Sequence, residues 1–166
     1  MERRPRIKIE LTRVDKTFEL FGWLTLFFGW GFILYHYSNL PDTIPTHYNA
    51  SGQVNGYGNK ITIILLPIIG TVIFIGMTVL NKYPHIYNYP SNITETNALI
   101  QYTYATKMIR YLKCSIVFIF FLIDLFTYLT ATERTNGLGY LFLPFMLALL
   151  FIPTGYYIVK SLKVTR

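Results

Sequence analysis

The sequence has 166 residues, of which 52% are hydrophobic and only 14% are charged. Soluble domains usually carry about a quarter charged residues, so this composition argues against a soluble domain and indicates a protein solvated by lipid. The net charge of +7 does not indicate a nucleic-acid partner, because the basic residues flank apolar runs instead of forming a patch. Cys114 is the single cysteine, which excludes an internal disulfide and a multi-cysteine metal site, and no cofactor is expected.

Four apolar segments are each long enough to cross a bilayer. Spanning a hydrocarbon core of about 30 Å takes roughly 20 predominantly apolar residues in a helix. The four segments lie at residues 18–37, 61–80, 112–129 and 138–159. We therefore predict an all-α integral membrane fold with four transmembrane helices in a single domain, residues 1–166. An outer loop at 40–60 joins the first two helices, and an inner connection at 81–111 joins the next two.

The distribution of Lys and Arg predicts the orientation of these helices, because the cytoplasmic flanks of membrane spans collect basic residues. The segment before the first span holds six and the C-terminal segment holds three. The second connection and the start of the third span together hold four: Lys82, Lys107, Arg110 and Lys113. The first and third connections hold one each, Lys60 and Arg134. Both termini are therefore predicted to be cytoplasmic, and the 40–60 loop is predicted to lie outside.

The inner connection is predicted to contain a helix. Asn92 and Glu95 have the spacing of a capping box, which places the helix start near Ile93. Apolar residues then recur at three- and four-residue intervals: Ala98, Leu99, Tyr102, Ala105, Ile109 and Leu112. Three polar residues are expected to lie away from this stripe: Gln101, Lys107 and Arg110. The helix either lies along the inner interface and leads into the third span, or is a plain cytoplasmic extension of that span.

The outer loop is rich in residues that restrict or reverse the backbone. Pro41 and Pro45 favour extended geometry in the residues before them. The dipeptides Ser51-Gly52 and Asn55-Gly56 are typical of turns, so residues 44–48 and 53–57 are predicted to pair as a short β-hairpin over the helix ends. The residues expected to face the helices are Ile44, Tyr48, Val54 and Tyr57.

The same loop carries a family resemblance. Its sequence, LPDTIPTHYNASGQVNGYGNK, resembles the bacterial membrane domain of unknown function 1648, the N-terminal domain of SdpI-type immunity proteins. The motif positions that match are Asp42, Pro45, His47, Asn49, Gly52, Gly58 and Lys60. Asn55 departs from the motif, since many relatives have an acid there, and this weakens any cation-binding role for the loop. The chain is also expected to lack the further C-terminal membrane segment of the longer SdpI-type proteins.

The resemblance implies a function only by analogy, because function resides in a site and not in a fold. SdpI-type proteins protect the producing cell from a secreted toxic peptide and can hold a transcriptional repressor at the membrane. By resemblance, we expect this chain in the bacterial cytoplasmic membrane, in contact with a secreted peptide or with another membrane protein. Its other expected partner is the lipid bilayer, and a homo-oligomer is left open.

The candidate binding residues of the outer loop are Asp42, His47, Asn49, Gly52, Asn55 and Lys60. Three interpretations are open for their polar side chains. They hold the loop in shape, with Asp42 and Asn49 bonded to turn backbone and His47 bridging to the helices. Alternatively, they recognise a peptide or protein, or they bind a metal. Metal is disfavoured, because zinc sites use three or four strong ligands and the loop offers at most two.

Asp124 is a candidate binding residue inside the third predicted span. It lies about 16 Å along the helix from Lys113, near the middle of the bilayer. A carboxyl at that depth is costly and predicts either a hydrogen-bonding hub between helices or a proton or substrate pathway. A third possibility is that the span is placed differently, with Asp124 nearer the outer surface. No Lys or Arg is expected in another span, so Asp124 is predicted to be either protonated or hydrogen-bonded to Thr, Tyr or Trp side chains.

The spans contain neither a nucleophile beside a base nor paired acids of the hydrolase kind, so the chain is not predicted to be an enzyme. The leading hypothesis is a small membrane protein for peptide immunity or signalling. The alternative is a subunit of a proton-coupled or small-solute transporter that uses Asp124.

Overall fold

A computed structural model describes residues 4–164 of the chain. Arg3 and Arg166, two of the basic residues counted above, lie outside this range. The described residues form four long α-helices and one two-stranded antiparallel sheet. In chain order the elements are α1 (Arg13–His36), β1 (Thr43–Tyr48), β2 (Val54–Asn59), α2 (Leu65–Leu80), α3 (Ala98–Ala131) and α4 (Phe142–Lys163).

All four predicted spans are confirmed as helices that are long and apolar enough to cross a membrane. Their ends differ from the prediction. Helix α1 begins at Arg13 because Thr12 and Asp15 form a capping box, in which the Thr12 amide donates to the Asp15 carboxylate at 2.9 Å. Helix α2 is preceded by a 3₁₀ turn at Lys60–Ile64, and α4 begins only at Phe142.

Helix α3 is the centre of the bundle, since α1, α2 and α4 each pack against it. Two apolar clusters fill these contacts. The cluster near the hairpin contains Ile33, Leu40, Ile44, Ile63 and Tyr128. The cluster nearer the chain termini contains Leu26, Phe74, Cys114 and Val117. The two ends of the bundle are called below the hairpin end and the terminal end.

The predicted capping box at Asn92 and Glu95 is wrong. Helix α3 begins at Ala98, because the side chain of Asn97 fixes a turn just before it. The side-chain oxygen of Asn97 accepts from the Thr94 amide at 2.9 Å, and its side-chain nitrogen donates to the Asn92 carbonyl at 3.0 Å. The helix then runs without a break to Ala131, which supports the second alternative, an extension of the third span.

The predicted apolar stripe on this extension is also partly wrong. Gln101 and Arg110 are buried, whereas Leu99 is 55% exposed. Polar partners on other helices allow this arrangement. The Gln101 amide donates to the Ser161 carbonyl of α4 at 2.9 Å, and Arg110 pairs with acids of α1. Buried polar groups are tolerated when they are hydrogen-bonded, so polarity alone did not identify the exposed face.

The predicted hairpin is confirmed, with Ile44 opposite Gly58 and an irregularity in the register around His47. The Ile44 side chain is fully buried, and the Tyr48 hydroxyl hydrogen-bonds the Thr127 hydroxyl of α3 at 2.9 Å. The expectation that Tyr57 faces the helices is wrong, because its side chain is 66% exposed. The hairpin therefore lies on the end of α3 through β1.

The turn of the hairpin is held against the connection between α3 and α4. Gly52 has a positive φ of 74°, and its carbonyl accepts from the Leu138 amide at 2.8 Å. Gln53 forms a β-bridge with Gly137, and a Cβ atom on Gly52 would lie 2.7 Å from the Gly139 nitrogen. We call this contact between Gly52 and residues 137–139 the glycine clamp. It requires glycine at position 52 for both backbone conformation and space.

Candidate functional site

A cleft of about 590 Å³ lies beneath the hairpin. Helices α2 and α4 form its two sides, α3 forms its back, and the hairpin covers one end. The helix residues that line it include Leu65, Leu66 and Ile69 of α2, Ile123, Asp124 and Thr127 of α3, and Phe142, Leu143 and Met146 of α4. We call it the hairpin cleft. Its volume lies within the range of small-ligand pockets, about 300–1,000 Å³.

Asp124 lies at the back of the hairpin cleft and is only 4% exposed. It also borders a small void of about 20 Å³ near α1, room for a single water molecule. Within residues 4–164 its carboxyl forms neither a hydrogen bond nor an ion pair with another side chain; Trp30 donates instead to Thr71 at 3.0 Å, and Tyr48 bonds Thr127. The predicted bonds from Thr, Tyr or Trp are therefore not formed. A buried carboxyl without a partner is destabilising and marks a candidate functional residue.

Two hydroxyls lie close to Asp124 on the wall of the cleft. Thr127 is three residues further along α3 and therefore on the same helix face. Its partner Tyr48 is partly buried, which raises the pKa of that phenol above its usual value of about 10. The phenol thus stays neutral at physiological pH, and the two oxygens add polar groups to a mostly apolar surface.

The candidate binding residues of the loop fall into two groups. His47, Asn49 and Gly52 line the hairpin cleft together with Asp124, whereas Asp42, Asn55 and Lys60 are not among the residues that line it. Asp42 and Lys60 form an ion pair of 3.0 Å, with the Asp42 side chain 92% exposed. A pair so exposed contributes about 0–1 kcal/mol.

One of the three interpretations has His47 bridging to the helices, and among residues 4–164 no such hydrogen bond is formed. The His47 Nδ1 lies 2.5 Å from the Asn55 side-chain oxygen across the hairpin, and both residues are exposed. Asn49 holds the turn, as one of the alternatives predicted, because its oxygen accepts from the Ser51 and Gln53 amides at 3.0 Å each. Across the described range, the structure places no three His, Cys, Asp or Glu residues where they could hold a metal ion.

A second polar cluster, near the terminal end, was missed by the sequence reasoning. The Arg110 guanidinium donates to Asp15 at 2.9 Å and to Glu19 at 2.8 Å. The Lys113 ammonium donates to Glu19 at 2.7 Å and to the Thr78 hydroxyl at 2.6 Å. Lys113 is fully buried, and the Asp15 and Arg110 side chains are 6% exposed. We call Asp15, Glu19, Arg110 and Lys113 the ion network.

The ion network adds partners that the sequence analysis did not assign. Arg110 and Lys113 were counted there only by segment, whereas the structure pairs both with acids of α1. A signal was nevertheless present: Asp15 and Glu19 are four residues apart, and Arg110 and Lys113 are three apart. Both spacings put the pair on one helix face, so opposite charges on α1 and α3 could be matched.

The four apolar helices identify the chain as a multi-pass membrane protein. Within it, residues 24–71 match the model of the domain of unknown function DUF1648. The match confirms the predicted resemblance and covers most of α1, the whole hairpin and the start of α2. It includes the loop residues but neither Asp124 nor any residue of the ion network.

An archaeal relative is similar to part of the chain. An uncharacterized protein of Archaeoglobus fulgidus is 33% identical over 70 residues, which covers 37% of this chain and 38% of the relative. The chain thus matches less than two fifths of the length of that protein. No solved structure matches the chain.

Proposed function

We propose that this membrane protein recognises a peptide on the outer side of a bacterial cytoplasmic membrane and acts in peptide immunity or membrane signalling. The observation that carries the proposal is the hairpin cleft, since the segment that matches the domain of unknown function also forms its cover. A cleft of about 590 Å³ suits a short stretch of peptide and not a folded domain.

The proposed role needs contact and no covalent chemistry, in keeping with the expectation that the chain is not an enzyme. The peptide would bind apolar side chains of α2 and α4 and meet the few polar groups of α3 and β1. Such a combination is typical of specific small-ligand sites, where apolar walls contribute affinity and placed polar groups set orientation. The lipid bilayer, a secreted peptide or another membrane protein are the proposed partners, and nucleic acid is not.

The proposal requires the hairpin to lie outside and both termini to lie in the cytoplasm. We expect alkaline phosphatase fused after Tyr57 to be active in a bacterial host, because this enzyme needs the disulfide-permissive outer compartment. A fusion after His85, in the connection between α2 and α3, is expected to be inactive. The reverse pattern of activities, at equal expression, would invert the topology and remove the cleft from the outer side.

The immunity role predicts that blocking the cleft abolishes protection. Ile69 lines the cleft on α2, so Ile69→Trp would fill part of it. Ile152 of α4 is 70% exposed and does not line this cleft, so Ile152→Trp is the matched control. In a sensitive bacterium challenged with a panel of secreted toxic peptides, we expect the wild type and the control to raise the inhibitory concentration of at least one peptide, and Ile69→Trp not to.

Membrane levels of all three proteins would be compared by immunoblot. An absence of protection against every peptide, at normal levels of wild-type protein, would refute the immunity role. Equal protection by wild type and Ile69→Trp would instead mean that the immunity role does not use the hairpin cleft.

A further inference from the structure

The hairpin cleft contains a buried acid without a matching base. Asp124 is 4% exposed and borders the cleft. Of the described residues that line it, none is Lys or Arg, and the titratable ones besides Asp124 are His47 and Tyr48. His47 is at the exposed hairpin and is bonded to Asn55 through Nδ1, while Tyr48 bonds Thr127. The Asp124 carboxyl therefore has no basic partner among the described residues that line the cleft.

Two lysines, one in the outer loop and one on α3, are engaged elsewhere. Lys60 pairs with Asp42 at 3.0 Å and does not line the cleft. Lys113, on the same helix as Asp124, is about 16 Å away along α3 and bonds Glu19 and Thr78. A partner for the Asp124 carboxylate must therefore come from a molecule that enters the cleft, or from water.

The walls around Asp124 are suited to an apolar molecule. The side chains of Leu65, Ile69, Leu143 and Met146 face the same space as the carboxyl. In surroundings of low dielectric constant, an ion pair or charge-assisted hydrogen bond is stronger than in water, and an unpaired charge is more costly. An apolar ligand without a cation would leave the carboxyl unpaired. A small hydrophilic cation would make no contact with the apolar walls.

We infer that the hairpin cleft binds an apolar peptide segment carrying one cationic side chain, and that Asp124 pairs with this cation. The inference rests on the proposed function and specifies the class of peptide. A lysine ammonium has three donors. The acceptors for them are the Asp124 carboxylate, the Thr127 hydroxyl oxygen on the same helix, and the Tyr48 hydroxyl oxygen of β1, which is bonded to Thr127.

The test uses two fluorescent pentapeptides, blocked at both ends, with the sequences Leu-Leu-Lys-Leu-Leu and Leu-Leu-norleucine-Leu-Leu. Binding to the full chain would be measured in nanodiscs of zwitterionic lipid, with empty nanodiscs as the baseline. We expect the lysine peptide to bind wild type at least about tenfold more tightly than the norleucine peptide, and Asp124→Asn to remove this difference. Glu133→Gln, which neutralises an exposed acid outside the cleft, is the matched control and should preserve it.

Circular dichroism and gel filtration would establish that each variant is folded, with Asp124→Ser as a second replacement. Equal binding of both peptides by wild type would overturn the requirement for a cationic side chain but leave peptide recognition standing. A preference for lysine that persists in both folded Asp124 variants would overturn the role of Asp124. Binding of neither peptide above empty nanodiscs would count against this inference and against the proposed function together.

Discussion

Replacing Arg110 with methionine is expected to lower the free energy of unfolding by about 3 kcal/mol or more. The guanidinium bonds both Asp15 and Glu19, and its side chain is only 6% exposed. Its removal would leave Glu19 with Lys113 as its remaining partner and Asp15 without a cation in the network. Removing one partner of a buried ion pair is strongly destabilising, because the other charge then stays buried without compensation.

The matched control is Arg13→Met, which makes the same substitution at an exposed position of α1. An exposed charge away from such a network is expected to change the free energy by less than about 0.5 kcal/mol. Both variants would be unfolded reversibly with increasing sodium dodecyl sulfate in mixed micelles, with helix content as the signal. Equal losses in the two variants would mean that the ion network does not stabilise the bundle.

Replacing Gly52 with alanine is expected to lower the free energy of unfolding by about 3 kcal/mol. It should also release the hairpin from the connection between α3 and α4. A positive φ costs an L-residue about 1–2 kcal/mol. In addition, the new Cβ atom would collide with the backbone of Gly139, and overpacking typically costs about 1–3 kcal/mol. The hydrogen bond from the Leu138 amide to the Gly52 carbonyl would be strained or lost.

Gly139→Ala separates these two effects. Gly139 also has a positive φ, of 82°, but a Cβ atom there would meet nothing within 4 Å. The free energy of unfolding of this variant should therefore fall by only about 1–2 kcal/mol. Hydrogen exchange at the Leu138 amide should accelerate more in Gly52→Ala than in Gly139→Ala. If both variants exchange and unfold alike, the collision does not matter and the glycine clamp is only a matter of backbone conformation.

The spans and the hairpin could be predicted because their signals are local. Apolar runs of about 20 residues report directly on membrane helices, and Ser51-Gly52 lies within a few residues of the strands it connects. The start of α3 was misjudged for the same reason. Asn92 and Glu95 have the correct local spacing, but the side chain of Asn97 forms the competing turn.

The candidate site depended on information that is not local. Asp124 was identified from its depth in a span, but the cleft in front of it exists because α2 and α4 both pack against α3. The ion network joins residues more than 90 positions apart in the chain. Counting Lys and Arg by segment treats a buried Arg110 and an exposed Arg13 as equal. Orientation, peptide recognition and the transporter alternative stay predictions.

Helix α3 connects the two polar regions of the molecule. It is one unbroken helix of 34 residues, about 51 Å long, with Asp124 in the hairpin cleft and Arg110 in the ion network. A ligand that shifts this helix on one side of the bilayer would alter ion-pair geometry near the other. Thermodynamic linkage makes this coupling reciprocal. If a ligand in the cleft shifts the equilibrium between two positions of α3, a change at the ion network that shifts the same equilibrium alters the affinity of the cleft for that ligand.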